Sequence, residues 1–212
     1  MVAGVEEAVG LLVANAAYMS MGPFLEQDTQ DWWRQIDTNL SGTFYLVRAV
    51  VPGMRRLGGG RIVIVSSEWG VTGWPNASAY AASKAGLISL GKTLDRELAP
   101  EGIITNVVAP GVIDTPQLEN DARDADVSLE EIKPRYAAET PVGRIGRPEE
   151  IAAAGGVSCS QGFGSFRRAG DIAQRRHHPI RRVTGCHGSW ISSPGFLWFG
   201  SGRASPSSSA PR

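Results

Sequence analysis

Tyr80-Ala81-Ala82-Ser83-Lys84 sets a phenol and an ammonium four residues apart, with Ser67 thirteen positions before the tyrosine. Small residues fill the segment, and leucines recur at Leu87, Leu90, Leu94 and Leu98. That spacing predicts a helix starting at Ser78 or Ala79. Positions i and i+4 share a helix face, so the two groups point to the same side. A free phenol titrates near about 10. A cation about 4 Å away, at an effective dielectric of about 20, is worth about 4 kcal/mol, or roughly three pKa units. A tyrosine placed this way can give or take a proton near neutral pH. The plain alternative is a packed tyrosine and a solvated lysine, and the surrounding elements decide between the two.

Those elements alternate. Val5 to Val9 reads as the end of a helix, and Leu11 to Ala16 as a short buried strand closing in small residues. From Asp28 the pattern turns helical, capped by Asp28 or Thr29, with Trp33, Ile36, Leu40, Phe44, Val47 and Val51 at three- and four-residue spacing. Pro52-Gly53 is a place to bend or break it, and Gly58-Gly59-Gly60 ends it. Arg61 to Ser67 is a β-branched run between glycines, a second strand. The Tyr80 helix stops at Pro100-Glu101-Gly102, and Ile103 to Ala109 is a third strand ended by Pro110-Gly111. Strands alternating with long helices predict a parallel sheet, whose ligands bind at the carboxyl ends of the strands. Asn15, Ser67 and Pro110-Gly111 all fall at those ends.

Composition separates two regions within the 212 residues. Residues 1–154 carry 13 basic and 20 acidic side chains, a net of −7. Residues 155–212 carry eight arginines and one acid, Asp171, a net of +7, with both cysteines and all three histidines. The expected organisation is a catalytic domain over 1–154 and an Arg/Gly/Ser-rich tail over 155–212, disordered or the product of a shifted reading frame. Gly155-Gly156 is expected to break the helix that begins near Pro148. The tail's apolar residues Trp190, Ile191, Phe196, Leu197, Trp198 and Phe199 cluster without a partner face, and its arginine pairs have no nucleic-acid-binding fold around them. Two cysteines supply neither a disulfide framework nor a metal site. No apolar run reaches membrane-span length and the first ten residues are acidic rather than basic, so a cytoplasmic protein is expected.

In order and spacing these residues resemble the short-chain dehydrogenase/reductase family across about residues 5–154. The elements are Ala14-Asn15-Ala16-Ala17 at a strand end, Asn39 in the first long helix, Ser67, Tyr80-x-x-x-Lys84, and Pro110-Gly111 followed by Thr115. The resemblance implies NAD(P)-dependent interconversion of a small-molecule carbonyl and a secondary alcohol. Tyr80 would be the general acid or base, and Lys84 would lower its pKa and bond the nicotinamide ribose. Ser67 would donate to the substrate oxygen, and Asn39 would hold a relay water. Asn15 and Ala16 would line the cofactor cleft, while Pro110, Gly111, Val112, Ile113 and Thr115 would seat the nicotinamide. Residues 115–146 would form the substrate lid, with Gln117, Leu118 and Trp74 as lining. Subunits would pair as a homo-oligomer through helices at about 29–57 and 78–99.

The family's opening strand, Gly-rich turn and helix, which take the pyrophosphate, have no match here. The expected fold is therefore α/β, a partial Rossmann-like doubly wound parallel sheet lacking its N-terminal βαβ units and the adenosine half of the cofactor site. That absence counts against activity of the chain as written. The rival reading is a non-catalytic fragment that pairs with a complete subunit of the same family.

Overall fold

The computed structural model describes residues 8–159 together with 191–193 and 196–198. The helix expected at Val5 to Val9 falls largely outside the described residues, and so does most of the tail. Strand β1 is Leu11–Ala14, β2 is Gly60–Val65 and β3 is Ile103–Ala109. They run parallel, β1 beside β2 and β2 beside β3, with Ala14 opposite Ile64 and Val65 opposite Val108. This register brings their carboxyl ends to one edge, as the alternation of strands and helices requires.

Helices cover both faces. Helix α2 (Gly42–Arg56) and α4 (Ser78–Leu98) pack on one side, where Val47, Val50, Met54 and Leu87 meet Ile62, Ile64, Ile103 and Val107. Helix α7 (Pro148–Cys159) packs on the other, with Ile151 and Ala154 against Val63 and Val108. Successive strand residues point to opposite faces, which is why Ile62 and Ile64 serve one layer and Val63 the other. Gly91 permits the closest helix–sheet contact: a Cβ there would lie 2.2 Å from Val107 Cγ2. At the β1 edge, Leu11 and Val13 remain about half exposed, at 48% and 52%.

Three features differ from the sequence expectation. The first long helix is interrupted: α1 (Thr29–Ile36) and α2 are joined by a π-helical turn, Asp37–Ser41, while Pro52 sits inside α2 without ending it. Gly155-Gly156 does not break α7, which runs on to Cys159. Two glycines cost about 1 kcal/mol each against alanine. That cost is met by the packing of Ile151 and Ala154 and by a hydrogen bond from Asn106 Nδ2 to the Ser158 carbonyl. Finally, Ile191–Ser193 and Phe196–Trp198 form strands β4 and β5. Strand β5 lies parallel to β3 and antiparallel to β4, giving the order β1-β2-β3-β5-β4. The apolar run at 196–198 thus finds backbone partners on the free side of β3, an edge that residues 8–159 leave unpaired. The arginine pairs of the tail lie outside the described residues.

Candidate active site

The end of β2 and the start of α4 are fastened to each other. Ser66, buried at the strand end, donates from Oγ to the Lys84 carbonyl at 2.7 Å. Ser67 follows it, and its Oγ accepts the Trp69 N–H at 3.2 Å at the head of α3 (Trp69–Thr72). The Ser67 side chain also acts on the Tyr80 phenol, drawing its pKa downward. Gly70 lets α3 lie directly on α4, since a Cβ there would meet the Lys84 carbonyl carbon at 2.7 Å. The i, i+4 spacing does put Tyr80 and Lys84 on one face, with the ammonium 5.4 Å from the phenol ring centroid.

The electrostatics differ from the simple pair. Lys84 is 2% exposed, and its Nζ donates to the Val65 carbonyl at 2.9 Å. Burial brings its pKa down to about 8. Burial likewise pushes Tyr80 up to about 12, against which the nearby Ser67 side chain pulls downward and the charge of Asp121 pushes further up. The lowered phenol expected from an adjacent cation is therefore not the state of this site. Desolvation penalises the charged form of both groups and is the largest cause of each shift.

Asn39 lies in the π-helical turn and is completely buried. Its Oδ1 accepts the Tyr18 N–H at 2.7 Å, and its Nδ2 donates to the Tyr18 carbonyl at 3.0 Å and to Ser83 Oγ at 3.0 Å. Both amide N–H groups are thus committed to protein, tying the loop after β1 to α4. A π turn adds a residue to the helix ladder and often marks a functional site; here it aims Asn39 inward. The loop is held further by Asp31, which accepts from Tyr18 Oη at 2.7 Å and from Ser20 Oγ at 2.5 Å.

Past the strand ends, Asn15 and Ala16 are exposed after β1, and Pro110 is buried after β3, its carbonyl accepting the Glu68 N–H at 2.9 Å. Gly111, Val112, Ile113 and Thr115 follow half-buried. Of these, Ile113 pairs with Gly146, and Val112 accepts the Gly146 N–H at 2.8 Å. The segment expected to form the lid folds into α5 (Gln117–Asp124) and α6 (Leu129–Glu139), packed through Leu118, Ala122, Ile132 and Tyr136 with Trp74, Val112 and Ile145 around them. Arg147 to Glu150 caps α7, as read from sequence: the Glu150 carboxylate accepts the Arg147 N–H at 2.8 Å and pairs with Arg144. These bonds hold Glu150 down at about 2.

Sequence reasoning did not single out Ser66, Ser83, Tyr18 or Asp121. Ser66 adjoined a marked residue, and Ser83 lay inside the marked pentapeptide. Tyr18 and Asp121 gave no local signal.

A model of the short chain dehydrogenase family matches residues 2–126. The chain belongs to the short-chain dehydrogenase family. It is 37% identical over 155 residues to a 3-oxoacyl-[acyl-carrier-protein] reductase of Aquifex aeolicus, covering 73% of this chain and 60% of that protein. It is 42% identical over 147 residues to a 2-dehydro-3-deoxy-L-rhamnonate dehydrogenase (NAD(+)) of Sphingomonas sp., covering 68% and 56%. Among solved structures, the ligand-free aldohexose dehydrogenase of Thermoplasma acidophilum superposes with a TM-score of 0.71 at 34% identity, covering 75% of this chain and 63% of that one. The chain thus spans somewhat less than two thirds of the length of these relatives. Its α/β parallel sheet is that of a Rossmann-type dehydrogenase.

The residues present fit one half of a nicotinamide dinucleotide. Among the described residues, one of the three Lys84 N–H groups is taken, by Val65, which leaves donors suited to ribose hydroxyls beside the phenol. No Gly-rich turn joins a strand to a helix N-terminus among the described residues, so no such donor set is offered to the pyrophosphate. Among the described residues, no helix is long and apolar enough to cross a membrane, and no group of three or more His, Cys, Asp or Glu could hold a metal.

Proposed function

We propose that this chain carries the proton-transfer centre of an NAD- or NADP-dependent oxidoreductase acting on a carbonyl/secondary-alcohol pair. The observation that carries the reading is the convergence of Ser67, Tyr80 and Lys84 at the carboxyl ends of parallel strands, with Tyr80 and Lys84 on one face of α4 and Ser67 just past the end of β2. A bound nicotinamide supplies or accepts the hydride. Lys84 and the segment Pro110, Gly111, Val112, Ile113 and Thr115, with Asn15 and Ala16 across the cleft, would hold its nicotinamide-ribose end.

The chain's own groups then have separable tasks. Tyr80 is fully protonated at neutral pH, so it is loaded to donate a proton to a carbonyl oxygen as that oxygen gains charge. Ser67 donates a second hydrogen bond to the same oxygen, where stabilisation is needed only in the transition state. Lys84, with a pKa of about 8, is mostly cationic at pH 7, and its field favours the phenolate left after the proton departs. Asn39 acts as a positioning residue, fixing Ser83 on α4 and the Tyr18 loop that borders the cleft.

A homo-oligomer through 29–57 and 78–99 belongs to this reading, supported by the exposed Trp33, Phe44 and Tyr45. The same surface supports the second reading, a non-catalytic chain docked on a complete relative. The test is to incubate the full chain with NADH or NADPH and a panel of ketones and aldehydes, following loss of reduced-nicotinamide absorbance. Binding of reduced nicotinamide mononucleotide is followed by NMR. Binding and consumption are expected; neither one occurring would leave the docking reading in place.

A further inference from the structure

The loop after β1 is gripped by a single carboxylate. Asp31 stands in the first turn of α1, where Asp28 Oδ1 accepts its N–H at 2.8 Å and the helix N-terminus favours a negative charge. Its Oδ1 accepts Tyr18 Oη at 2.7 Å and its Oδ2 accepts Ser20 Oγ at 2.5 Å, both from the loop, while Oδ2 also accepts Gln35 Nε2 at 3.2 Å from the next turn of α1. Gln35 in turn accepts the Ser20 N–H at 3.3 Å. Arg34 lies over the Tyr18 ring, 4.4 Å from its centroid, so ring face and hydroxyl are both held.

From Tyr18 the bonds run on to the reacting centre. Its peptide groups engage both ends of the Asn39 amide, Asn39 Nδ2 donates to Ser83 Oγ, and Ser83 Oγ donates to the Tyr80 carbonyl at 2.7 Å. The loop also leaves the sheet beside Lys84. Ala14 is opposite Ile64, so the next step of the chain passes Val65, whose carbonyl holds Lys84 Nζ.

We propose that Asp31 is a positioning residue of the proton-transfer centre: by gripping Tyr18 and Ser20 it keeps the loop after β1 closed against α4 and shields Lys84 from water. The inference rests on the reading of Tyr80, Ser67 and Lys84 as that centre. Hydrogen bonds to a charged acceptor are stronger than those to a neutral one, and three side-chain donors converge on this carboxylate. Its path to the centre runs through Tyr18, Asn39 and Ser83. With the grip released the loop opens and water reaches the ammonium, whose state is set by burial.

The experiment is a carbon-13 NMR titration of the full chain, labelled at lysine Cε and free of cofactor. The chain has three lysines, and Lys84→Met identifies the Lys84 signal. Wild type is expected to titrate at about 8. Tyr18→Phe, which removes only the gripped hydroxyl, and Asp31→Ala are each expected to raise that midpoint by about one unit or more. The double variant is expected to raise it no further than Asp31→Ala alone. Asp31→Asn, which keeps an oxygen for Tyr18, is expected to restore most of the wild-type value. A wild-type midpoint at the ordinary 10.5 would overturn the proposal, and so would an unmoved midpoint in folded Tyr18→Phe or folded Asp31→Ala. Shifts that add in the double variant, or an Asp31→Asn displaced as far as Asp31→Ala, would overturn it as well. If Asp31→Ala does not fold, Tyr18→Phe decides alone, and a Tyr18→Phe chain that fails to fold makes the bond a requirement of folding and overturns the proposal too. The titration needs neither cofactor nor turnover. Absent nicotinamide consumption would sink the oxidoreductase reading alone, and an unmoved Lys84 would sink this one alone.

Discussion

Lys84→Met keeps an unbranched apolar stem and removes a buried charge. At pH 7 the wild-type ammonium is cationic in both folded and unfolded chains, but the folded state bears its desolvation. The drop from the ordinary 10.5 to about 8 corresponds to about 3 kcal/mol. The hydrogen bond to Val65 offsets part of this, since a bond from a charged donor is worth about 1.5–3 kcal/mol. The two effects leave little net change at pH 7, so a single-pH comparison decides nothing and the pH slope decides the matter. Between pH 8 and 10 the unfolded chain still holds the lysine proton while the folded chain has released it. The unfolded state binds more protons, so stability rises with pH. Tyr80 acts in the opposite sense but in a later window. Its folded pKa is raised from 10 to about 12, so its contribution is present below pH 10 and fades between 10 and 12. Wild type should therefore gain about 2–3 kcal/mol relative to Lys84→Met from pH 8 to pH 10. Urea unfolding at pH 7, 8, 9 and 10, followed by far-UV circular dichroism, measures the difference. A difference that stays flat across that range would refute the claim that burial governs this lysine.

Gly91→Ala gains helix propensity but drives a Cβ into Val107; overpacking should win, with a net loss of about 1–2 kcal/mol in thermal unfolding. Asn39→Leu fills the space while leaving the Tyr18 peptide and Ser83 without their partner. A loss of about 2–4 kcal/mol is expected, with faster hydrogen exchange at the Tyr18 amide. Ser128 caps α6 in a reciprocal box with Glu131. Ser128→Ala should loosen the first turn of α6 by about 1 kcal/mol, read as roughly fivefold faster exchange there, without disturbing Lys84 or Tyr80.

The sheet and its helices were legible because their signals are local. Gly-bounded β-branched runs at 61–67 and 103–109 could only be strands, and the recurring leucines from Leu87 to Leu98 could only be one helix face. The convergence at the strand ends followed from parallel topology alone. What stayed hidden depends on the surroundings. Nothing in Asp37 to Ser41 announces a π turn, because the turn is chosen by what Asn39 reaches across space, Tyr18 and Ser83. Gly155-Gly156 carries a propensity signal that packing on Val63 and Val108 overrides. The lowered phenol follows only if Tyr80 and Lys84 are treated as an isolated pair, whereas Lys84 stays mostly cationic at pH 7 as expected. Burial, which sequence spacing does not report, pushes the phenol up, against the expected direction, and the ammonium down.

The central claim is that the Tyr80 phenol is the proton donor at this site. Its most direct test is the single-turnover rate of reduced-nicotinamide oxidation with a reactive carbonyl, comparing wild type with Tyr80→Phe after circular dichroism shows both folded. Removing only the hydroxyl should slow the step by about 10²–10⁴-fold while leaving reduced nicotinamide mononucleotide binding unchanged. A Tyr80→Phe chain that reduces carbonyls at the wild-type rate would contradict the account.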